Sequence, residues 1–98
     1  MPKYFMTWEV DSTRAPTDPK ERGAMWAGML DMIKQDMKEG KISDWGSFPG
    51  ESRGYSISEQ SMLDLSKNLQ RFYPFVDFQV HQVMSVDEVA EVAKSLMG

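Results

Sequence analysis

Two hydrophobic periods alternate along this 98-residue chain, and their order constrains the fold more than its composition does. Lys3 to Val10 alternates strictly, with Tyr4, Met6, Trp8 and Val10 against Phe5, Thr7 and Glu9, as a half-buried strand does. Asp18-Pro19-Lys20-Glu21 then opens a helix: Asp18 caps, Pro19 suits the first turn and Glu21 has capping-box spacing. At 100° steps Met25, Trp26, Met29, Leu30, Met32, Ile33 and Met37 form one broad apolar face, and Gly40 is placed to end the helix in a left-handed conformation. Period two returns in Ile42 to Phe48 and Gly54 to Ser58, joined by the turn residues Pro49-Gly50-Glu51-Ser52. A second helix is expected from Ser61 to Arg71, ending where Pro74 pushes Tyr73 towards extended backbone. Val76 to Val83 alternates once more, and Ser85-Val86-Asp87-Glu88 starts a last helix.

The order β-α-β-β-α-β predicts a split βαβ-βαβ, ferredoxin-like α+β domain over residues 1–98, with 84–98 as a C-terminal helical extension. Right-handed crossovers favour a four-stranded antiparallel sheet in the order 4-1-3-2, with the helices on one face. If the more apolar set of each strand faces the helices, the other face carries Phe5, Thr7 and Glu9, then Gly54, Ser56 and Ser58, then Asp77, Gln79 and His81. That face is mixed. It is either a solvated sheet face or one wall of a partly polar cavity closed by a second copy of the chain.

Composition excludes several kinds of chemistry. The absence of cysteine removes disulfides, thiolate metal sites and a cysteine nucleophile. A single histidine removes a multi-histidine metal site within one chain, so no metal and no cofactor is expected. The formal net charge of −4, with no basic cluster, gives neither nucleic acid nor an anionic membrane surface a footing. No apolar run approaches the roughly 20 residues of a membrane span, and the start lacks a signal-peptide pattern, so a cytoplasmic location is expected.

The candidate catalytic residues are His81, Glu9 and Asp77. His81 has the chemistry of a general base or a ligand-orienting donor near neutral pH, although an exposed strand histidine is the plainer account. Asp77 lies four residues from it on one strand, roughly 13 Å away, so Glu9 on the neighbouring strand is the better partner if register allows. Arg53 is placed to hold an anion at a cavity mouth. Phe5, Thr7, Trp45, Tyr55 and Gln79 complete the candidate ligand-lining set, with core packing the plainer role for Trp45 and Tyr55. Asp36 falls on the apolar face of the first helix; its place in the last turn predicts that it bends out to solvent.

The run Gly54-Tyr55-Ser56-Ile57, the following helix, and Leu69-Gln70-Arg71-Phe72-Tyr73-Pro74-Phe75-Val76-Asp77-Phe78-Gln79-Val80 resemble the C-terminal half of the muconolactone isomerase-like proteins. Those have a similar Tyr-Ser-Val strand, Phe-Pro-Tyr turn and Asp-Ile-Glu-Val strand. The opening Tyr4-Phe5-Met6-Thr7-Trp8-Glu9 strand resembles small bacterial and archaeal members of the same dimeric α+β-barrel superfamily. The resemblance implies a homodimer, with a small organic molecule held in a cavity on the sheet face. It leaves two functions open: a cofactor-free isomerase or monooxygenase, or a non-catalytic dimeric module binding a ligand or a protein.

Overall fold

The computed structural model describes residues 1–98 and has the expected order of elements. Strands β1 (Lys3–Val10), β2 (Ile42–Ser47), β3 (Arg53–Glu59) and β4 (Val76–Val83) alternate with helices α1 (Pro19–Lys38), α2 (Met62–Leu69) and α3 (Val86–Leu96). Each helix starts on the chemistry its sequence carries. The Asp18 carboxylate accepts from the Glu21 amide at 3.2 Å, and the Ser61 hydroxyl accepts from the Asp64 amide at 3.1 Å. Ser85 and Glu88 close a full capping box. α1 ends at Gly40, whose φ of 76° lets the Lys41 amide reach back to the Asp36 carbonyl. The second helix is shorter than the sequence predicts. After Leu69 it tightens into one 3-10 turn, Gln70–Phe72, before Tyr73 goes extended ahead of Pro74.

The sheet is fully antiparallel in the order β2-β3-β1-β4, which is the expected 4-1-3-2 read from the other edge. Register decides the faces, because directly paired residues of antiparallel strands point the same way. Tyr4, Met6 and Trp8 pair with Ser58, Ser56 and Gly54 on one side and with Gln82, Val80 and Phe78 on the other. The even-numbered residues of β1 are all buried under the helices, as expected.

β3 is the reverse of the expectation. Gly54, Ser56 and Ser58 face the helices and are buried, while Tyr55 and Ile57 lie on the open face. The reason is volume. Trp8 and Trp45 stack with ring centroids 5.3 Å apart and an interplanar angle of 7°, over the middle of the sheet. A Cβ on Gly54 would lie 2.5 Å from the Trp8 ring and would overlap the Gly46 carbonyl oxygen. Two indoles fill the space that β3 side chains would otherwise take, so β3 contributes its smallest residues there.

The core lies between the sheet and the first two helices. Trp8, Val10, Met29, Phe72 and Val76 form its larger cluster; Tyr4, Met6 and Leu65 form the smaller one. α1 closes it loosely: only Met29 and Asp36 are buried, while Met25, Trp26, Leu30, Met32 and Ile33 are half-buried. α3 has no buried residue and no substantial packing on any other element. The molecule is consequently long, 61 × 26 × 20 Å, with a radius of gyration of 16.4 Å against about 13 Å for a compact chain of this length. No helix is long and apolar enough to cross a membrane.

Candidate functional site

Between the sheet and helices α1 and α2 lies a cavity of about 50 Å³. Its walls are aromatic and aliphatic. All three tryptophans of the chain line it: Trp8 and Trp45 from the sheet, and Trp26 from α1. Trp26 meets Trp8 edge to face, centroids 5.8 Å apart, and the Trp8 indole N–H donates to the Tyr55 carbonyl at 3.2 Å. That bond satisfies the indole's only donor within the sheet and leaves its ring as apolar wall.

Polar groups line it as well, Asp36, Ser58, Gln60, Asn68 and Arg71 among them. Ser58 donates to the Lys41 carbonyl at 2.8 Å and accepts from the Gln60 amide at 2.7 Å. Gln60 in turn accepts from Asn68 at 2.7 Å. This chain of bonds ties the start of β2, the end of β3 and α2 together. Beside it Arg71 makes a close ion pair with Asp36, donates from Nε to the Asn68 carbonyl at 2.9 Å, and lies 5.3 Å from the Phe72 ring centre. Asp36 therefore does not bend to solvent. Its side chain is 6% exposed, and a carboxylate so placed needs a cation. The position on the apolar face of α1 was the signal for such a partner; only the fold identifies it as Arg71.

Ser56 differs from its neighbours. It is 3% exposed and lines the cavity, yet no group of the chain hydrogen-bonds its hydroxyl. Every side-chain nitrogen or oxygen fully shut off from solvent has a partner, and the Ser56 hydroxyl keeps a small exposure. As a cavity-lining residue it offers one hydrogen-bonding group in a mostly apolar space.

The open face carries most of the residues that the sequence nominated, arranged in ways that the sequence did not show. Tyr55 stacks on Phe5 (6.3 Å, 13°) and on Phe48 (6.4 Å, 24°) and donates its phenol to Asp44 at 2.8 Å. The bond to Asp44, then burial, then the Asp44 charge push the Tyr55 phenol above its usual 10.0. Arg53 is held by carboxylates of its own chain, Glu9 at 3.2 Å and Glu51 at 3.9 Å. His81 is exposed and pairs across the strands with Phe5, whereas Glu9 pairs with Asp77. His81 is thus four residues along the strand from the level of both carboxylates, roughly 13 Å. Within one chain, register brings Glu9 to Arg53 and not to His81. Thr7 pairs with Gln79 and Tyr55 in the middle of this face.

The expected ligand-lining set therefore divides. Trp45 belongs to the cavity under the helices, while Phe5, Thr7, Arg53, Tyr55 and Gln79 share the open face with His81, Glu9 and Asp77. Ser56, Arg71 and Trp26 are cavity residues that sequence reasoning passed over. A run of small residues at alternate positions between two tryptophan-bearing strands was the available sign for Ser56. No group of three or more His, Asp or Glu side chains is gathered closely enough to hold a metal ion. No protein-family model matches this chain, and no curated protein shows significant similarity to it.

Proposed function

We propose that this protein is a non-catalytic binding module of the dimeric α+β-barrel type, which takes a small organic molecule into the cavity under its helices. One observation carries the reading: Ser56, a buried residue whose hydroxyl keeps a small exposure and has no hydrogen-bond partner in the chain, lines a mostly apolar cavity walled by three tryptophans. Few convergent polar groups in an apolar concavity are the usual make-up of a ligand site. At roughly 10–15 Å³ per water-sized group, the volume admits roughly three to five such groups. The ligand is accordingly a small, uncharged, mainly apolar molecule with one hydroxyl or carbonyl for Ser56, or a larger one that inserts such an end.

Binding is favoured over turnover because the only side chain with the proton chemistry for neutral pH, His81, lies on the opposite face of the sheet, away from both its candidate partners and the cavity. The three tryptophans make the test direct, since a ligand in the cavity touches the only indoles of the chain. Titration with butanol, butanone and phenol is expected to shift tryptophan emission and raise the melting temperature. Ser56→Ala should weaken the best of these by about 5-fold, the worth of one hydrogen bond, while His81→Ala leaves binding unchanged. Emission unaffected by all three probes, or equal binding by Ser56→Ala, sinks the proposal.

A further inference from the structure

We infer that α3 is an exchange arm: it docks on a second copy of this chain, whose own α3 docks on the first. The helix is constructed to form. Ser85 Oγ accepts from the Glu88 amide at 3.1 Å and the Glu88 carboxylate accepts from the Ser85 amide at 2.9 Å; Asp87 and Glu88 sit in the first turn and Lys94 in the last. Yet at 11 residues it is too short to persist alone in water, where helices under about 12–15 residues are marginal. It needs a surface to lie on, and it packs on none of its own body.

Its apolar stripe shows which side would be covered. Val86, Val89, Ala90, Ala93 and Leu96 follow the helical period, and Val86 and Leu96 are 85% and 82% exposed. Asp87, Glu88, Glu91 and Lys94 take other positions around the helix.

The exposed area is sufficient for another copy as the occupant. A compact chain of 11.2 kDa exposes about 5,700 Å². This one exposes 7015 Å², a surplus of about 1,300 Å². A stable dimer buries about 800 Å² on each partner, so the surplus is enough to make one. The same chain also leaves apolar surface bare on its body, at Phe5 and Phe48 on the open face and at Val80 and Met84 near the root of α3. A two-fold exchange covers arm and body together and leaves neither over, which is how identical chains swap an element. The inference rests on the dimer of the proposed function but not on its ligand cavity, which lies within one chain; a dimer that ignores α3 would end the exchange and leave that reading standing.

The test uses the full chain. Sedimentation of the unaltered protein at tens of micromolar should show a dimer, with hydrogen exchange showing α3 amides protected and that protection lost on dilution to monomer. Val89→Asp with Leu96→Asp should raise the dimer dissociation constant on the order of 100-fold, because exchange would bury two unpaired carboxylates on each arm. Tryptophan emission should stay the same, since all three indoles lie in the body. A monomer at every concentration overturns the inference, as does a dimer that ignores the double substitution. A dimer whose α3 amides stay unprotected overturns it too, and that measurement decides the matter on the unaltered protein if the double variant misfolds.

Discussion

The two faces of this sheet follow different rules. Under the helices, volume governs: Trp8, Trp26 and Trp45 crowd together, and β3 answers with Gly54, Ser56 and Ser58. On the open face, pairwise contacts govern: Tyr55 between Phe5 and Phe48, Tyr55 with Asp44, and Arg53 with Glu9, all within reach of water. A hydrophobicity ranking of β3 alone puts Tyr55 and Ile57 inside. The structure puts them outside, because filling a space of fixed size outweighs the gain from burying the more apolar set.

The contrast is open to attack from both sides. The largest effect is expected at Gly54. Gly54→Ala places a methyl against the Gly46 carbonyl and the Trp8 ring, where backbone and a stacked indole must give way. A loss of about 3 kcal/mol is expected, read from the urea midpoint. A loss below about 1 kcal/mol would mean that the indole stack is not what holds small residues on this face.

On the open face Glu9→Gln removes the charge partner of Arg53, but both groups are more than half exposed. The expected cost is under about 1 kcal/mol, smaller still in high salt. A larger, salt-independent loss would show that this face is covered in solution, which would bear directly on how two copies meet.

The smallest effect concerns Tyr55. Its phenol is held above the usual value, so the associated stability is fully present below about pH 10 and is lost as pH rises through the folded-state value. Asp44→Ala removes both the acceptor of the phenol's hydrogen bond and the charge that raise it. The Tyr55 transition in an ultraviolet titration should move down towards 10, and less stability should be lost above that pH. An unchanged transition would show that burial against Phe5 and Phe48, and not Asp44, sets the phenol.

Much of the fold was legible because it rests on local chemistry. Asp18, Ser61 and Ser85 cap the helices they precede, Gly40 ends α1 and Tyr73 turns extended before Pro74. The sheet order followed from element order and crossover handedness. The candidate site was less legible, since its key relations join distant segments. Asp36 and Arg71 are 35 residues apart, and Trp8 bonds a carbonyl 47 residues away.

The sequence by itself determined which segments are strands and helices, where they stop and how the strands are ordered. Periodicity and capping act over a few residues, and chirality restricts the ways of joining them. Only the tertiary structure decided that β3 turns its small residues inward, that Glu9 meets Arg53 while His81 stands opposite Phe5, and that α3 leaves the body. Those outcomes depend on register and on the volume of side chains brought together from far along the chain, and a one-residue shift of pairing would reverse every face.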